Sequence, residues 1–145
     1  MSGDRMRTIV AVEAAAPGRL AVRWSNGREA ELDLSGLAEE PGFEALRDPQ
    51  AFAAVEVGDW GHSVRWTSGV ELGAQTLWLE TLSATGHEDA RAFLEWRLRN
   101  GLSLTGAAEA LGLSRRMAAY YSNGDKPVPR TVALACRGWE MQRAA

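Results

Sequence analysis

The stretch that decides the fold of the carboxy-terminal part of the chain reads Ser103-Leu104-Thr105-Gly106-Ala107-Ala108-Glu109-Ala110-Leu111-Gly112-Leu113-Ser114. Each of its two flanking serines can cap a helix, because a serine side chain accepts a hydrogen bond from a free backbone N–H of the first turn. Ala108 stands four residues before Gly112. Two helices that meet within a three- or four-residue turn need a small side chain where they touch and a turn residue that tolerates positive φ. The spacing therefore predicts two short helices joined by a tight turn.

One more helix is predicted on each side of this pair. Thr85 and Glu88 have the spacing of a capping box at the start of the helix before it. The apolar stripe of that helix consists of Ala90, Phe93, Leu94 and Leu98. Asn123-Gly124 ends the second helix of the pair. The last helix carries Cys136 and Trp139, either as core residues or as dimer contacts.

The amino-terminal half alternates apolar and polar residues with the period of two that is typical of β-strands. Its first strand has Thr8, Val10 and Val12 on one face. The next two strands form a hairpin, and the parity of their faces fixes its loop. A two-residue loop at Asn26-Gly27 would pair Trp24 with Glu29 and set an acid against the apolar face. The three-residue loop Ser25-Asn26-Gly27 is predicted instead, because it pairs Val22 with Ala30, Leu20 with Leu32, Arg23 with Glu29 and Arg19 with Asp33.

A second hairpin follows the same rule. With Thr67-Ser68-Gly69 as its loop, Val64 faces Leu72 and Arg65 faces Glu71. Between the hairpins, residues 41–52 predict one or two short helical turns and residues 54–58 a further strand. The apolar residues of the segment 74–82 have a spacing closer to a helix than to a strand.

Four tryptophans of this half, at positions 24, 60, 66 and 78, are predicted to pack in the core and on the sheets. The alternative is an exposed aromatic patch for a partner or a small ligand. The stretch Gly58-Asp59-Trp60-Gly61-His62 has the composition of a loop, which could present Trp60 and His62.

Charge divides the chain into two parts. Residues 1–86 carry seven Arg and thirteen acids, whereas residues 87–145 carry nine Arg or Lys and six acids. The first part would be repelled by DNA, and the second could approach phosphates. We expect no membrane span, because no apolar stretch is long enough, and no signal peptide, because Met1–Arg5 has no apolar run behind it. A single cysteine, Cys136, favours a cytoplasmic location.

Enzymatic classes find little support in the sequence. It has two histidines, His62 and His87, and none of the common zinc-protease, Cys-x-x-Cys, phosphate-loop or serine-hydrolase motifs. We therefore expect no catalytic residues, no metal site, no cofactor and no enzyme activity.

Residues 103–124, together with the helix that follows, resemble the λ-repressor/Cro family of helix-turn-helix domains. In that family the second helix of the pair lies in the major groove of double-stranded DNA. The resemblance implies that the groove-facing positions are those of Ser114, Arg115, Arg116, Ala119 and Tyr120, and that Asn123 and Lys126 lie in the phosphate-contacting loop. Many members carry Gln where this chain has Leu104, so the resemblance does not extend to the backbone contact that this Gln makes.

The amino-terminal half resembles the DUF2442 domains, a small bacterial family of unknown function. The similarity lies in the Trp24-Ser25-Asn26-Gly27 turn and its strand, and in Gly69-Val70-Glu71-Leu72 and Leu77-Trp78. Some members are fused to a helix-turn-helix, and some lie in gene pairs that resemble toxin–antitoxin modules. The resemblance thus implies a toxin-like protein partner.

Together these features predict an α+β protein, with an acidic β-rich domain over residues 6–82 and a helix-turn-helix DNA-binding domain over residues 87–142. The first hypothesis is a sequence-specific, homodimeric transcriptional regulator whose amino-terminal domain binds a partner protein or a small ligand. The second is a protein-interaction module that acts as the antitoxin of a toxin–antitoxin pair.

Overall fold

The computed structural model of the chain describes residues 7–144, and the expectation about a signal peptide at residues 1–5 lies outside them. The described chain divides into two compact units, with the boundary between Thr85 and Gly86. The first unit is β-rich, with two three-stranded sheets, and the second is helical. The predicted α+β class is therefore confirmed. No helix within residues 7–144 is both long and apolar enough to cross a membrane.

The elements follow one another along the chain without long gaps. The β-rich unit contains β1 (Ile9–Ala16), β2 (Arg19–Trp24), β3 (Glu29–Asp33), α1 (Pro49–Ala53), β4 (Glu56–Val57), β5 (Ser63–Arg65), β6 (Glu71–Gly73) and α2 (Ala74–Ala84). Short 3-10 turns lie at Leu37–Glu39, Glu44–Arg47 and Asp59–Gly61. The helical unit contains α3 (Glu88–Arg99), α4 (Leu104–Leu111), α5 (Arg115–Asn123) and α6 (Arg130–Ala144).

The β2–β3 hairpin has the predicted register. Val22 is opposite Ala30, and Arg23 is opposite Glu29. The Gly27 N–H donates to the Trp24 carbonyl at 2.9 Å, and Gly27 has φ 90°. The three-residue loop is confirmed, since a left-handed glycine closes a type I turn with a bulge.

The β5–β6 hairpin repeats this geometry. Val64 is opposite Leu72, Arg65 is opposite Glu71, and Gly69 has φ 99°. The strand predicted over residues 54–58 is the shorter β4, which pairs with β5. The predicted helical turns of residues 41–52 are a 3-10 turn and α1, and the helical spacing of residues 74–82 belongs to α2.

The predicted face of the first strand is wrong. Ile9 is buried, whereas Val10 is 53% exposed. The register explains the difference, because Ile9 is opposite Trp24 but Ala11 is opposite Arg23. Val10 is therefore the extra residue of a β-bulge, and a bulge shifts the alternation of faces by one residue.

Three of the four tryptophans of the β-rich unit lie in its core, as predicted. Trp24 Nε1 donates to Thr81 Oγ1 at 3.0 Å, and its ring meets Trp78 edge to face at 5.1 Å. Trp66 Nε1 donates to the Phe52 carbonyl at 2.8 Å. The core prediction is wrong for Trp60, which is 88% exposed in the third 3-10 turn.

Two details of the predicted α3 are also wrong. Thr85 does not cap it, since its hydroxyl donates to the Thr81 carbonyl at the end of α2, 2.7 Å away. The cap residue is His87, whose side chain makes no capping bond. The apolar stripe ends on Trp96, which is buried, and Leu98 is 39% exposed.

The core of the helical unit brings all four helices together. Its buried members are Phe93, Trp96, Leu104, Ala107, Ala108, Ala118, Tyr121 and Cys136. The half-buried Trp139 of α6 packs against this cluster and meets Trp96 edge to face at 5.5 Å. The core interpretation of Cys136 and Trp139 is therefore confirmed.

Candidate nucleic-acid interface

The junction between α4 and α5 follows from its serines and its glycine. Ser103 Oγ accepts from the Gly106 N–H at 2.9 Å, and Ser114 Oγ accepts from the Met117 N–H at 3.0 Å. Gly112 is left-handed, with φ 72° and ψ 32°. Both predicted caps and the predicted turn glycine are confirmed. Three residues thus separate the two helices, and their caps fix where each begins.

The inner face of α5 is anchored in the core. Ala118 is fully buried, and the Tyr121 ring meets Phe93 edge to face at 5.6 Å. Ser122 Oγ donates to the Ala118 carbonyl and accepts from Arg97 Nη1, both at 2.8 Å. Arg97 therefore ties α3 to the end of α5. This role could not be predicted from the sequence, because a single arginine on a helix is usually a solvated side chain.

An aromatic ring on the outer face of α5 lies close to two cations. Arg116 Nε donates to Tyr120 Oη at 2.7 Å, with its guanidinium carbon 5.5 Å from the ring centroid. Lys126 Nζ lies 4.8 Å from the same centroid. We call Arg116, Tyr120 and Lys126 the Tyr120 cluster. The spacing i,i+4 of Arg116 and Tyr120 could have indicated their contact from the sequence.

The other four residues of the predicted DNA site lie in different surroundings. Ser114 is exposed and caps α5, while Arg115 is half-buried in its first turn. Ala119 is half-buried and packs against the core. Asn123 ends α5, and its buried Oδ1 has no hydrogen-bond partner among residues 7–144. Of the predicted residues, the structure thus brings Arg116 and Lys126 together at the Tyr120 side chain.

An ion pair joins α3 to α6 in the helical unit. Arg99 donates to both Glu140 oxygens, from Nε at 2.7 Å and Nη2 at 2.9 Å, and Asn100 Nδ2 donates at 2.7 Å. These bonds, first that of Arg99, lower the pKa of Glu140 to about 2. Burial raises the pKa of the Cys136 thiol to about 11, so this cysteine is a neutral core residue at pH 7.

Comparison with known proteins identifies the β-rich unit. Residues 9–81 match the family model of the "Protein of unknown function (DUF2442)". The chain belongs to the DUF2442 family. The predicted resemblance of the amino-terminal half is therefore confirmed. We call the β-rich unit the DUF2442 unit.

A solved structure extends the similarity to the whole chain. It is a crystal structure of a "Putative DNA Binding Protein" from Nitrosomonas europaea, with 41% sequence identity and a TM-score of 0.71. The match covers 99% of this chain and 92% of that one. No curated protein matches the chain. The similarity thus spans both units of this chain.

Proposed function

We propose that this DUF2442 protein is a sequence-specific DNA-binding regulator whose helical unit acts as a helix-turn-helix of the λ-repressor type. The Tyr120 cluster is the observation that carries the proposal. It combines one cation and an aromatic ring on the outer face of α5 with a second cation in the loop after it, and the inner face of α5 packs in the core. The description of the Nitrosomonas europaea protein supports the same function.

Arg116 is assigned the reading of a base. The two terminal nitrogens of an arginine fork match O6 and N7 of guanine in the major groove, and a good bidentate contact gives about 1–3 kcal/mol of discrimination. The bond from Nε to Tyr120 Oη at 2.7 Å restricts the side chain before DNA arrives. Such restriction lowers the entropy that binding costs.

Phosphate contacts are assigned to Arg115, Lys126 and the capped end at Ser114. Lys126 lies in the loop after α5 and is exposed, and Ser114 begins α5, where backbone N–H groups favour an anion. Such contacts fix the register on the duplex without reading its sequence. The excess of cations over acids in residues 87–145 favours them as well.

A homodimer is the assembly that suits this role. On α6, Leu134 is 49% exposed and Met141 is 74% exposed, at a spacing of i,i+7 that places them on one face. A two-fold dimer through this face would present two copies of α5. Half-sites about 34 Å apart, arranged as an inverted repeat, would match that symmetry.

A protein-interaction role is the second candidate, and it includes an antitoxin that binds a toxin-like partner. It is favoured by the exposure of Trp60 in the DUF2442 unit. Both roles are compatible, since Trp60 and the Tyr120 cluster belong to different units.

Selection of bound sequences from random duplex DNA tests the first candidate. The intact protein is compared with Arg116→Ala and with Arg23→Ala, a control that removes the same charge from an exposed position on β2. We expect the wild type and the control to enrich one inverted repeat, and Arg116→Ala to lose preference at particular bases. The absence of any enrichment at low salt would overturn the proposal, because phosphate contacts are strongest there.

A further inference from the structure

The loop around Trp60 combines exposure with an unusual backbone. The Trp60 side chain is 88% exposed, and its φ is 60°. It is the one non-glycine residue with positive φ within residues 7–144. This conformation is unfavourable for a bulky residue and persists only where the surrounding structure imposes it. Residues strained in this way cluster at functional sites.

Close packing at two glycines that flank Trp60 holds the loop. A Cβ at Gly58 would lie 2.1 Å from Ser63 Oγ, and a Cβ at Gly61 would lie 2.6 Å from the Ile9 carbonyl oxygen. Gly61 also has φ 75°. The loop is thus pressed against β1 and β5 at both of its ends. Its backbone is held in place, and the indole ring is directed outward.

Acidic side chains lie close to the Trp60 loop. Arg65 pairs with Glu56 at 2.9 Å and with Asp59 at 3.4 Å, and the Ser63 hydroxyl donates to Glu71. Two carboxylates therefore share Arg65, and a third, that of Glu71, is bound by Ser63, so the acids outnumber the arginine around the loop. The exposed Val10 follows Ile9, the residue against which Gly61 packs, and adds apolar surface at the same edge. We call Val10, Glu56, Asp59 and Trp60 the Trp60 patch.

We propose that the Trp60 patch docks a basic segment of a partner protein. A lysine or arginine of that segment lies over the indole face, since a cation is attracted to the ring and most of all to tryptophan. The carboxylates of Glu56 and Asp59 bind the same or a neighbouring cation, and an aliphatic side chain beside it contacts Val10. Nucleic acid is disfavoured here, because the carboxylates repel phosphates. This assignment rests on the part of the proposed function that gives the DUF2442 unit a partner.

A library of random 12-residue peptides displayed on phage tests the proposal. Selection is carried out in parallel against the full chain and against Trp60→Ala. We expect the full chain to enrich peptides that combine Lys or Arg with an aliphatic residue. Binding of the synthetic peptide, followed by fluorescence anisotropy, falls about tenfold or more in Trp60→Ala, as for a central aromatic anchor. It falls less in Asp59→Asn and stays unchanged in Glu13→Gln, an exposed acid on β1.

Three results would overturn the proposal. They are equal selection of peptides by both proteins, enrichment of acidic peptides, and Trp60-dependent binding of a 12-nucleotide single strand of thymidines. The DNA selection described above is repeated with Trp60→Ala and is expected to be unchanged. A failed peptide selection beside an intact DNA selection removes the Trp60 patch alone, so the two proposals fail separately. Circular dichroism confirms that Trp60→Ala is folded.

Discussion

The two units of this chain each present an aromatic side chain at a surface, in opposite electrostatic settings. In the helical unit, Tyr120 lies close to the cations of Arg116 and Lys126. In the DUF2442 unit, the exposed Trp60 comes directly after Asp59 in the chain and four residues after Glu56. An aromatic ring alone does not choose a partner, because it can stack on a base, pack on an aliphatic chain or attract a cation.

The neighbouring charges make the choice. Cations around Tyr120 suit an anionic partner, whereas carboxylates around Trp60 suit a cationic one. The two rings also differ in how they are held. Tyr120 is fixed by a hydrogen bond to its hydroxyl, and Trp60 is fixed by the backbone of its loop. The charges around a ring thus determine which partner it suits, and the bonds or backbone that hold the ring determine how rigid it is.

The largest expected effect is the difference in stability between alanine variants of Trp60 and of Trp24, a buried tryptophan of the same unit. Trp24→Ala should lower the free energy of unfolding by about 3–5 kcal/mol, because it leaves a cavity and removes the bond to Thr81. Trp60→Ala should change it by less than about 0.5 kcal/mol or raise it, since the side chain is exposed and its backbone strained. Urea unfolding followed by circular dichroism gives both values. A large loss in Trp60→Ala would mean that Trp60 serves the fold.

A smaller effect is expected from Gly61→Ala. The new Cβ would meet the Ile9 carbonyl at 2.6 Å, and φ is 75°. We expect a loss of about 1–3 kcal/mol in the free energy of unfolding, together with weaker peptide binding. Gly36→Ala is the matched control, since Gly36 has φ −66° and open space around its Cβ position, and it should be neutral or stabilising. Equal unfolding midpoints for both variants would show that the loop is not held as described.

The two serine caps allow a finer comparison within the helical unit. Ser103→Ala and Ser114→Ala each remove one capping bond and should each cost about 1 kcal/mol of stability. We expect only Ser114→Ala to weaken DNA binding in addition, because Ser114 begins the helix that carries the Tyr120 cluster. Thermal unfolding and DNA titration of both variants provide the test. DNA binding that falls equally in both would assign the loss to stability rather than to contact.

The smallest expected effect is on the stability of the protein at acidic pH. Arg99 and Asn100 hold the pKa of Glu140 at about 2, below its ordinary value of 4.5. The ionised carboxylate therefore stabilises the fold fully above about pH 4.5, and this contribution is lost as the pH falls towards 2. Glu140→Gln lacks the titrating group. We expect its free energy of unfolding to fall less steeply than that of the wild type between about pH 5 and pH 2, and identical slopes would contradict the assignment.

The register of the hairpins and the boundaries of α4 and α5 could be predicted from the sequence. Paired faces leave one register in which Val22 meets Ala30, and Ser103, Ser114 and Gly112 each have a single backbone role. The errors lie where two local patterns compete. The Thr85 hydroxyl could either cap α3, which follows it, or bond to a carbonyl of α2, which precedes it. It donates to the Thr81 carbonyl of α2.

The candidate surfaces were less predictable. The bulge at Val10 reverses an alternation that continues unbroken in the sequence. The loop composition of residues 58–62 left Trp60 either in the core or at the surface, and the 88% exposure of its side chain decides for the surface. The contact of Tyr120 with Lys126 joins a helix to the loop after it, and helical spacing does not extend across Gly124.

The decisive experiment compares the affinities of two variants for two ligands. Fluorescence anisotropy gives the affinity of the wild type, Arg116→Ala and Trp60→Ala for the selected DNA duplex and for the selected basic peptide. We expect Arg116→Ala to lose about tenfold or more in affinity for DNA and nothing for the peptide. We expect the reverse for Trp60→Ala. A variant that loses both ligands, or a Trp60→Ala that loses DNA, would contradict two separate surfaces with partners of opposite charge.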